Sequence, residues 1–480
     1  MSAAKISIPA LGRGKDDILK EMKTFGANDA DYKEGKTFSL VYYLGEEHTT
    51  FLRDAHAMYM SANGLNPMAF QSLKRFETEV VKMSADMLHG DENTVGVITS
   101  GGTESCMMSV YAARERARAA RILPHKPEMI VPESVHPAFE KGAKYFGVKA
   151  VHAPLDKDFR VNLKAVKKMI NRNTILIVGS APPYPHGVID PIEDLARIAK
   201  KKDIPMHVDS CLGGFLLPWV EKLGYDIPAF DFRLPGVMSM SADIHKYGYS
   251  AKGASLILYR DMEYMKHSIF VYTDWPGGIY ASPVLLGTRP GGSIAAAWAT
   301  LQSIGQKGYM DYAKLIMDTT KEIQAAIADI PELTVVGKPH MSVFSFTAKD
   351  KNFPIYAVCD QMALKGWHID RNQSPDGLHC MVTPHHAQFS DVYINDLKEA
   401  VAAVKANPEL GKQGGAAVYG MISNVPLRGM IKKAVLKMMM DMYSPNGKPP
   451  DLNEPEDDFA TKAGMAFVEI KKKVTSRLGL

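Results

Sequence analysis

TILIVGSAP (174–182), MHVDS (206–210), VMSMSAD (237–243) and ASLILYR (254–260) are short apolar runs that decide the fold. Upstream, VGVITS (95–100), MIVPE (129–133) and KAVHAP (149–154) have the same character, and segments with helical spacing lie between most of these runs. Buried strands separated by helices are typical of a mostly parallel sheet covered on both faces. The sequence therefore predicts an α/β fold.

The chain is predicted to have four parts. Residues 1–57 form an N-terminal arm with a helix at 16–25 and a short aromatic strand within GKTFSLVYYLGEE (35–47). Residues 58–308 form a large domain, and residues 309–443 form a smaller C-terminal α+β domain that ends in a methionine-rich helix. Residues 444–480 read as a Pro-rich, acidic linker followed by a basic helix at about 461–477.

Composition narrows the class of protein. The 480 residues carry 57 Lys and Arg against 53 Asp and Glu, a net charge of +4 that is too small for a nucleic-acid or membrane field. No apolar run approaches the roughly 20 residues of a membrane span, and the N-terminus lacks a secretory signal. Four scattered cysteines do not form a disulfide scaffold. We therefore expect a soluble, cytoplasmic enzyme with no nucleic-acid partner and no transmembrane segment.

The chemistry is indicated by HVDSCLGG (207–214) and SADIHKYGYSAKG (241–253). One predicted strand ends at Asp209, and another leads into His245 and Lys246, so a carboxylate and a lysine meet at the carboxyl edge of the sheet. A lysine that forms a Schiff base and a carboxylate that keeps a pyridine nitrogen protonated are what pyridoxal phosphate requires. The alternative is that Asp209 caps a helix and Lys246 pairs with a surface acid.

Two further motifs fit the same cofactor. TSGGTES (99–105) lies where a strand passes into a helix, and such a glycine-rich helix start binds phosphate, although it can also be an ordinary turn with a Ser or Thr cap. His136 follows another strand and is placed to stack on a cofactor ring, or to act only as a structural cap. GTRPGG (287–292), with Thr288 and Arg289, is either a phosphate contact across a dimer interface or a simple turn.

A metal centre is not predicted. His207-x-Asp209 and His385-His386 are the pairs that suggest one, but no third or fourth ligand lies at a characteristic spacing. Cys106 and Cys211 lie beside the site without a catalytic cysteine constellation, so we expect them to be small buried apolar residues.

Together these motifs resemble the pyridoxal-phosphate-dependent sphingosine-1-phosphate lyases. The similarity is carried by a set of quoted segments: TSGGTES (99–105), ESVHPAFEKGAKYFG (133–147), PHGVIDPI (185–192), HVDSCLGGF (207–215), SADIHKYGYSAKGASLILY (241–259), TDWPGGIYASPVLLGTRPGG (273–292) and, more weakly, YGMISN (419–424). The resemblance implies an aminotransferase-like fold (fold type I) and a homodimer with shared active sites. It also implies retro-aldol cleavage of a phosphorylated sphingoid base to a long-chain aldehyde and phosphoethanolamine.

The resemblance also assigns residues. It places Lys246 as the Schiff-base lysine, Asp209 as the pyridinium partner and His136 as the stacking histidine. It places Gly102, Thr103 and His245 at the cofactor phosphate, which Thr288 reaches from the other subunit. For substrate binding, it places Lys252 at the substrate phosphate and Tyr42 near the reacting centre, and it includes the retained Asn63. Lys246, Tyr42 or a cofactor phosphate oxygen could serve as the base.

The chain departs from the family in three places. Asn66 stands where a histidine is expected, and an amide cannot act as a general base. The segment after Ser444 has no recognised counterpart, and the transmembrane anchor of eukaryotic members is missing, which favours a soluble, bacterial-type form. An amino-acid decarboxylase of the same fold, or a non-catalytic homologue, stays open as an alternative.

Overall fold

The structure is a computed structural model that describes residues 7–122, 124–424 and 428–444. Its N-terminal part contains three helices: α1 (Lys15–Phe25), α2 (Glu46–Met58) and α3 (Gln71–Met87). The predicted helix at 16–25 is confirmed as α1, which has no buried residues.

The aromatic strand predicted within 35–47 is wrong. The segment makes only an isolated bridge between Thr37 and His368. Phe38 is 1% exposed and stacks on His386, so this segment enters the core of the C-terminal part instead of joining a sheet. Leu40 has a φ of 66°, which breaks the extended conformation that a strand requires.

The central element is a seven-stranded sheet with the order β1-β7-β6-β5-β4-β2-β3. Its strands and the helices between them are β1 (Val95–Thr99), α4 (Gly102–Ala119), β2 (Glu128–Pro132), α5 (Ala138–Phe146), β3 (Lys149–Ala153), α6 (Leu163–Met169), β4 (Thr174–Ser180), α7 (Ile192–Lys201), β5 (Met206–Asp209), α8 (Leu217–Lys222), β6 (Val237–Ala242) and β7 (Ser255–Tyr259). The strands from β2 to β6 are parallel, whereas β7 is antiparallel to both β6 and β1. The predicted α/β fold with a mostly parallel sheet is confirmed.

The register of this sheet positions the site. Asp209, the last residue of β5, is paired with Ser241 near the end of β6. Because parallel strands present their carboxyl ends at one edge, the residues that follow β5 and β6 share that edge.

The hairpin that follows the sheet is exposed. After α9 (Met262–Met265) come β8 (Phe270–Trp275) and β9 (Gly278–Ser282), which pair only with each other. Every residue of β8 is exposed, including Phe270, Tyr272 and Trp275. An exposed aromatic patch of this kind is uncommon on a folded domain.

A long helix links the two halves of the chain. Helix α10 (Gly291–Asp329) is interrupted at Gly305, whose φ of 61° is non-helical. The domain boundary predicted at residues 308 and 309 falls within α10, three residues beyond this kink.

The C-terminal part contains a second, antiparallel sheet. Its elements are β10 (Leu333–Val335), β11 (Val343–Ala348), α11 (Ile355–Ala363), β12 (Asp370–Gln373), β13 (Asp376–Met381), α12 (Ser390–Ala406), α13 (Gly414–Asn424) and α14 (Arg428–Met442). The four strands have the order β10-β11-β13-β12. This sheet and its helices surround an apolar cluster separate from that of the large sheet.

The methionine-rich segment is helical, as α14, with Ala434 and Met438 as its buried residues. The linker and final helix predicted after Ser444 lie outside the described residues. Within the described ranges, no helix combines the length and apolar character needed to cross a membrane.

Candidate active site

Lys246 lies in the turn that leaves β6, and its ammonium is paired with a buried carboxylate. Lys246 Nζ is 2.9 Å from Asp243 Oδ2, and Asp243 Oδ1 accepts a hydrogen bond of 2.5 Å from Ser255 Oγ. Burial alone lowers the pKa of Lys246, but the Asp243 carboxylate outweighs it and raises the pKa above its usual value. The Lys246 ammonium is therefore held in one orientation by the Asp243 carboxylate.

Asp243 was not among the predicted site residues. It is 1% exposed, and the charges of Lys246 and His245 outweigh burial and lower the pKa of its carboxyl, so it is ionised at neutral pH. The signal was present in the sequence as an acid three residues before Lys246, immediately after an apolar strand.

Asp209 is held by backbone and side-chain donors. Its Oδ1 accepts hydrogen bonds from Cys211 N at 3.1 Å and from Ser241 Oγ at 3.2 Å. Both bonds use one carboxylate oxygen, which leaves Oδ2 to receive a further donor. Asp209 and Lys246 lie within electrostatic reach of each other, so the structure brings the two predicted residues together.

His136 adjoins the same two charged groups. Its Nδ1 accepts a hydrogen bond of 3.1 Å from Ala138 N, which fixes the ring and leaves the proton on Nε2. Burial lowers the pKa of His136, while the opposing charges of Asp209 and Lys246 both act on it. A neutral, fixed imidazole at this place is suited to lie against an aromatic ring.

A glycine cradle borders Lys246 and Asp243. A Cβ on Gly102 would lie 2.6 Å from Asp243 Oδ2, so no other residue fits there without movement. Gly102 begins α4, and Thr103 is exposed in the first helical turn. His245 faces Gly101, since a Cβ on that glycine would lie 3.8 Å from the imidazole Cε1. The free N–H groups of the helix start and the Thr103 hydroxyl suit a phosphate.

Tyr42 and Lys252 form the other wall of the site. Tyr42 donates a hydrogen bond of 2.8 Å to Met381 Sδ, and Lys252 Nζ lies 5.1 Å from the centre of the Tyr42 ring. Lys252 Nζ also donates to Leu40 O at 2.7 Å. Burial of the ammonium group and the charge of Lys246 lower the pKa of Lys252 to about 8, although much of its side chain is exposed.

A further group of residues near the site was not predicted from the sequence: Tyr184, Asp370 and His379. Tyr184 donates a hydrogen bond of 2.5 Å to Asp370 Oδ2, and its ring stacks on His379 with centroids 3.9 Å apart. The pKa of Tyr184 is raised by burial and by Asp370, and both Tyr42 and Lys246 act on it electrostatically. These residues come from β12, β13 and the loop after β4, so only the folded arrangement of both sheets brings them near Lys246.

Asn63 and Thr288 are hydrogen-bonded to each other. Asn63 Nδ2 donates to Thr288 Oγ1 at 3.3 Å, and Arg289 N donates to Asn63 Oδ1 at 3.3 Å. Within the described part of one chain, no hydrogen bond of this pair reaches Lys246, Asp209 or Gly102. Asn66 Oδ1 accepts from Met68 N at 3.0 Å and Ala69 N at 3.2 Å, so this amide has a local role in the turn.

The residues present fit pyridoxal phosphate. His245 Nδ1 is a buried polar atom without a hydrogen-bond partner among the described residues, and the neighbouring ring atom Cε1 faces Gly101. The lack of a Cβ at Gly102 lets the Asp243 carboxylate approach the start of α4. An unsatisfied nitrogen beside a helix start accommodates an anionic group, and Lys246 and Asp209 match the aldehyde and the pyridine nitrogen.

The chain is similar to known proteins over most of its length. Residues 36–349 match the family model of the pyridoxal-dependent decarboxylase conserved domain. A sphingosine-1-phosphate lyase of Dictyostelium discoideum is 42% identical over 93% of this chain and 84% of its own length.

Solved structures give the same picture. A sphingosine-1-phosphate lyase of Burkholderia pseudomallei superposes with a TM-score of 0.80 at 41% identity, covering 86% of this chain and 96% of the other. A glutamate decarboxylase of Lactobacillus brevis has a TM-score of 0.73 at 19% identity, covering 84% of this chain and 95% of its own, and so shares the fold.

Proposed function

Because the chain belongs to the sphingosine-1-phosphate lyase family, we propose that it cleaves a phosphorylated sphingoid base by retro-aldol chemistry. The Cα–Cβ bond breaks, and the products are a long-chain aldehyde and phosphoethanolamine. The observation that carries the proposal is the grouping of Lys246, Asp243 and Asp209 at one sheet edge, with the cation of Lys252 beside them.

The cofactor of this enzyme is pyridoxal phosphate, which supplies a conjugated ring that accepts the electron pair left on Cα. Lys246 would provide the amine for its aldehyde. Asp209 would hold the proton of the pyridine nitrogen, and the bonds from Cys211 N and Ser241 Oγ keep the carboxylate in position. The helix start at Gly102 and Thr103, together with His245, would hold the phosphate.

The protein also selects which bond breaks. Lys252 offers a positive charge for the substrate phosphate, and this contact fixes one end of the substrate relative to Lys246. Burial, followed by the neighbouring Tyr247 and Asp243, raises the pKa of Tyr42 well above its usual value. Tyr42 therefore keeps its proton at neutral pH and is suited to donate a hydrogen bond to the substrate oxygen, not to remove a proton.

Product analysis tests this function. Purified holoenzyme is incubated with sphingosine 1-phosphate, and the aldehyde and phosphoethanolamine are quantified by mass spectrometry. Equimolar appearance of both products is expected. Release of carbon dioxide from an amino acid without aldehyde formation would identify a decarboxylase, and absence of turnover with cofactor bound would identify a binding homologue.

Lys252 makes substrate capture pH-dependent. Its ammonium is charged below a pKa of about 8 and neutral above it, so we expect kcat/KM to fall as the pH rises through that value. Lys252→Arg should move this fall in kcat/KM to higher pH, because a guanidinium stays charged. Lys252→Met should raise KM about 10- to 100-fold with a smaller change in kcat. An unchanged pH profile in Lys252→Arg would mean that another group causes the fall in kcat/KM.

The exposed hairpin supports a homodimer. Trp275 and Ile279 are 52% and 78% exposed, and the neighbouring Thr288 is also exposed, as a residue that serves a partner subunit would be. We expect Trp275→Glu combined with Ile279→Glu to shift the protein from dimer to monomer in sedimentation velocity and to lower activity in parallel. Leu364→Glu, at an equally exposed position in the C-terminal part, is the control. A wild-type chain that is monomeric and fully active would refute the dimer.

The cysteines bear on location. Cys106, Cys211 and Cys380 are buried free thiols. Free thiols are characteristic of a reducing compartment, which supports a cytoplasmic location as part of the proposal.

A further inference from the structure

Two buried thiols lie side by side under the cofactor cradle. Cys106, on α4, and Cys211, immediately after β5, have sulfurs 4.0 Å apart, although 105 residues separate them in the chain. A carboxylate oxygen of Asp209 lies within 4.8 Å of both sulfurs. Among residues 7–122, 124–424 and 428–444, this is the one group of three potential metal ligands.

The spacing matches a coordination sphere. With zinc–sulfur bonds of about 2.3 Å and tetrahedral angles, two bound sulfurs are about 3.8 Å apart. The observed 4.0 Å therefore needs little adjustment. Two thiolates and one carboxylate leave a fourth position for water, and sulfur ligands favour zinc or cadmium over magnesium or calcium.

The cysteine pair borders the glycine cradle. A Cβ on Gly102 would lie 2.9 Å from Cys211 Sγ, so this thiol forms part of the same cradle. Cys211 Sγ donates to Ser241 Oγ at 3.2 Å, and Ser241 Oγ donates to Asp209 Oδ1 at 3.2 Å. The thiols and the pyridinium partner are thus joined in one hydrogen-bonded group.

We propose that Cys106, Cys211 and Asp209 form a binding site for a thiophilic divalent cation such as zinc, and that a bound cation competes with pyridoxal phosphate for Asp209. Coordination forms two metal–sulfur bonds and one metal–oxygen bond and releases the two thiol protons to water. The existence of the site rests on geometry alone, whereas the competition also rests on the proposed role of Asp209.

Cadmium is the probe, because cadmium bound to thiolate has a charge-transfer absorption in the ultraviolet. The full chain is titrated with cadmium in its cofactor-free and cofactor-loaded forms. We expect one equivalent to bind the cofactor-free protein, with affinity reduced at least about tenfold by cofactor. Cys106→Ser and Cys211→Ser should each weaken binding roughly 100-fold. Cys380→Ser, at a buried cysteine in the C-terminal part, should bind as the wild type does.

The outcomes separate the two claims. Unchanged cadmium affinity and absorption in Cys106→Ser would refute the site, and Cys106→Ala repeats the measurement without a new polar atom if the serine variant misfolds. Equal affinity with and without cofactor would refute the competition alone. Aldehyde production is measured separately, in cadmium-free buffer, and normal production leaves the proposed function intact. The failure of the metal site and the failure of the proposed function are therefore told apart.

Discussion

Lys246→Ala is expected to abolish turnover and to remove the visible absorbance of cofactor bound through this residue. Lys246 is the amine at the carboxyl edge of β6, and its ammonium is oriented at 2.9 Å by the buried Asp243. Removing it eliminates the covalent attachment that the reaction requires, so kcat/KM should fall by about three orders of magnitude or more. Absorbance spectra and aldehyde quantification provide the two measurements.

Lys246→Arg is the matched control for this prediction. Arginine preserves a positive charge opposite Asp243 and so retains the ion pair, but its guanidinium does not form the covalent attachment. We expect a folded protein with the same loss of absorbance and activity. If Lys246→Arg retained wild-type turnover, Lys246 would contribute charge alone and the catalytic assignment would be wrong.

Asp209→Asn should leave the cofactor attached but reduce kcat about 100- to 1,000-fold. The amide is nearly isosteric and keeps an oxygen for Cys211 N and Ser241 Oγ, but it no longer stabilises a protonated pyridine nitrogen. The visible absorbance should persist while kcat falls and KM changes little. That split distinguishes a loss of charge stabilisation from a loss of cofactor.

Ser241→Ala is the companion variant. It deletes the 3.2 Å hydrogen bond to Asp209 Oδ1 but leaves the carboxylate, so a decrease of about tenfold in kcat is expected. A drop as large as that of Asp209→Asn would mean that position, not charge, is the main contribution of Asp209. Activity of Asp209→Asn within a few-fold of the wild type would refute its role.

Much of the large sheet could be predicted because its strands are nearly continuous apolar runs between helices with clear spacing. The strand endings then located Asp209 and Lys246, since the carboxyl ends of parallel strands share one edge. Prediction failed for 35–47, where aromatic residues resemble a strand. Phe38 instead packs against His386 and Trp367, residues distant in sequence that local propensity cannot include.

The sequence by itself determined the fold class, the cofactor chemistry and the motifs that carry the family resemblance, because these depend on periodicity and on residue types at strand ends. Tertiary structure alone decided which side chains share an environment. It placed Asp370 and His379 of the second sheet against Tyr184, near Lys246, and brought Cys106 within 4.0 Å of Cys211. Such contacts depend on how separate elements pack in space, and spacing along the chain carries no record of that packing.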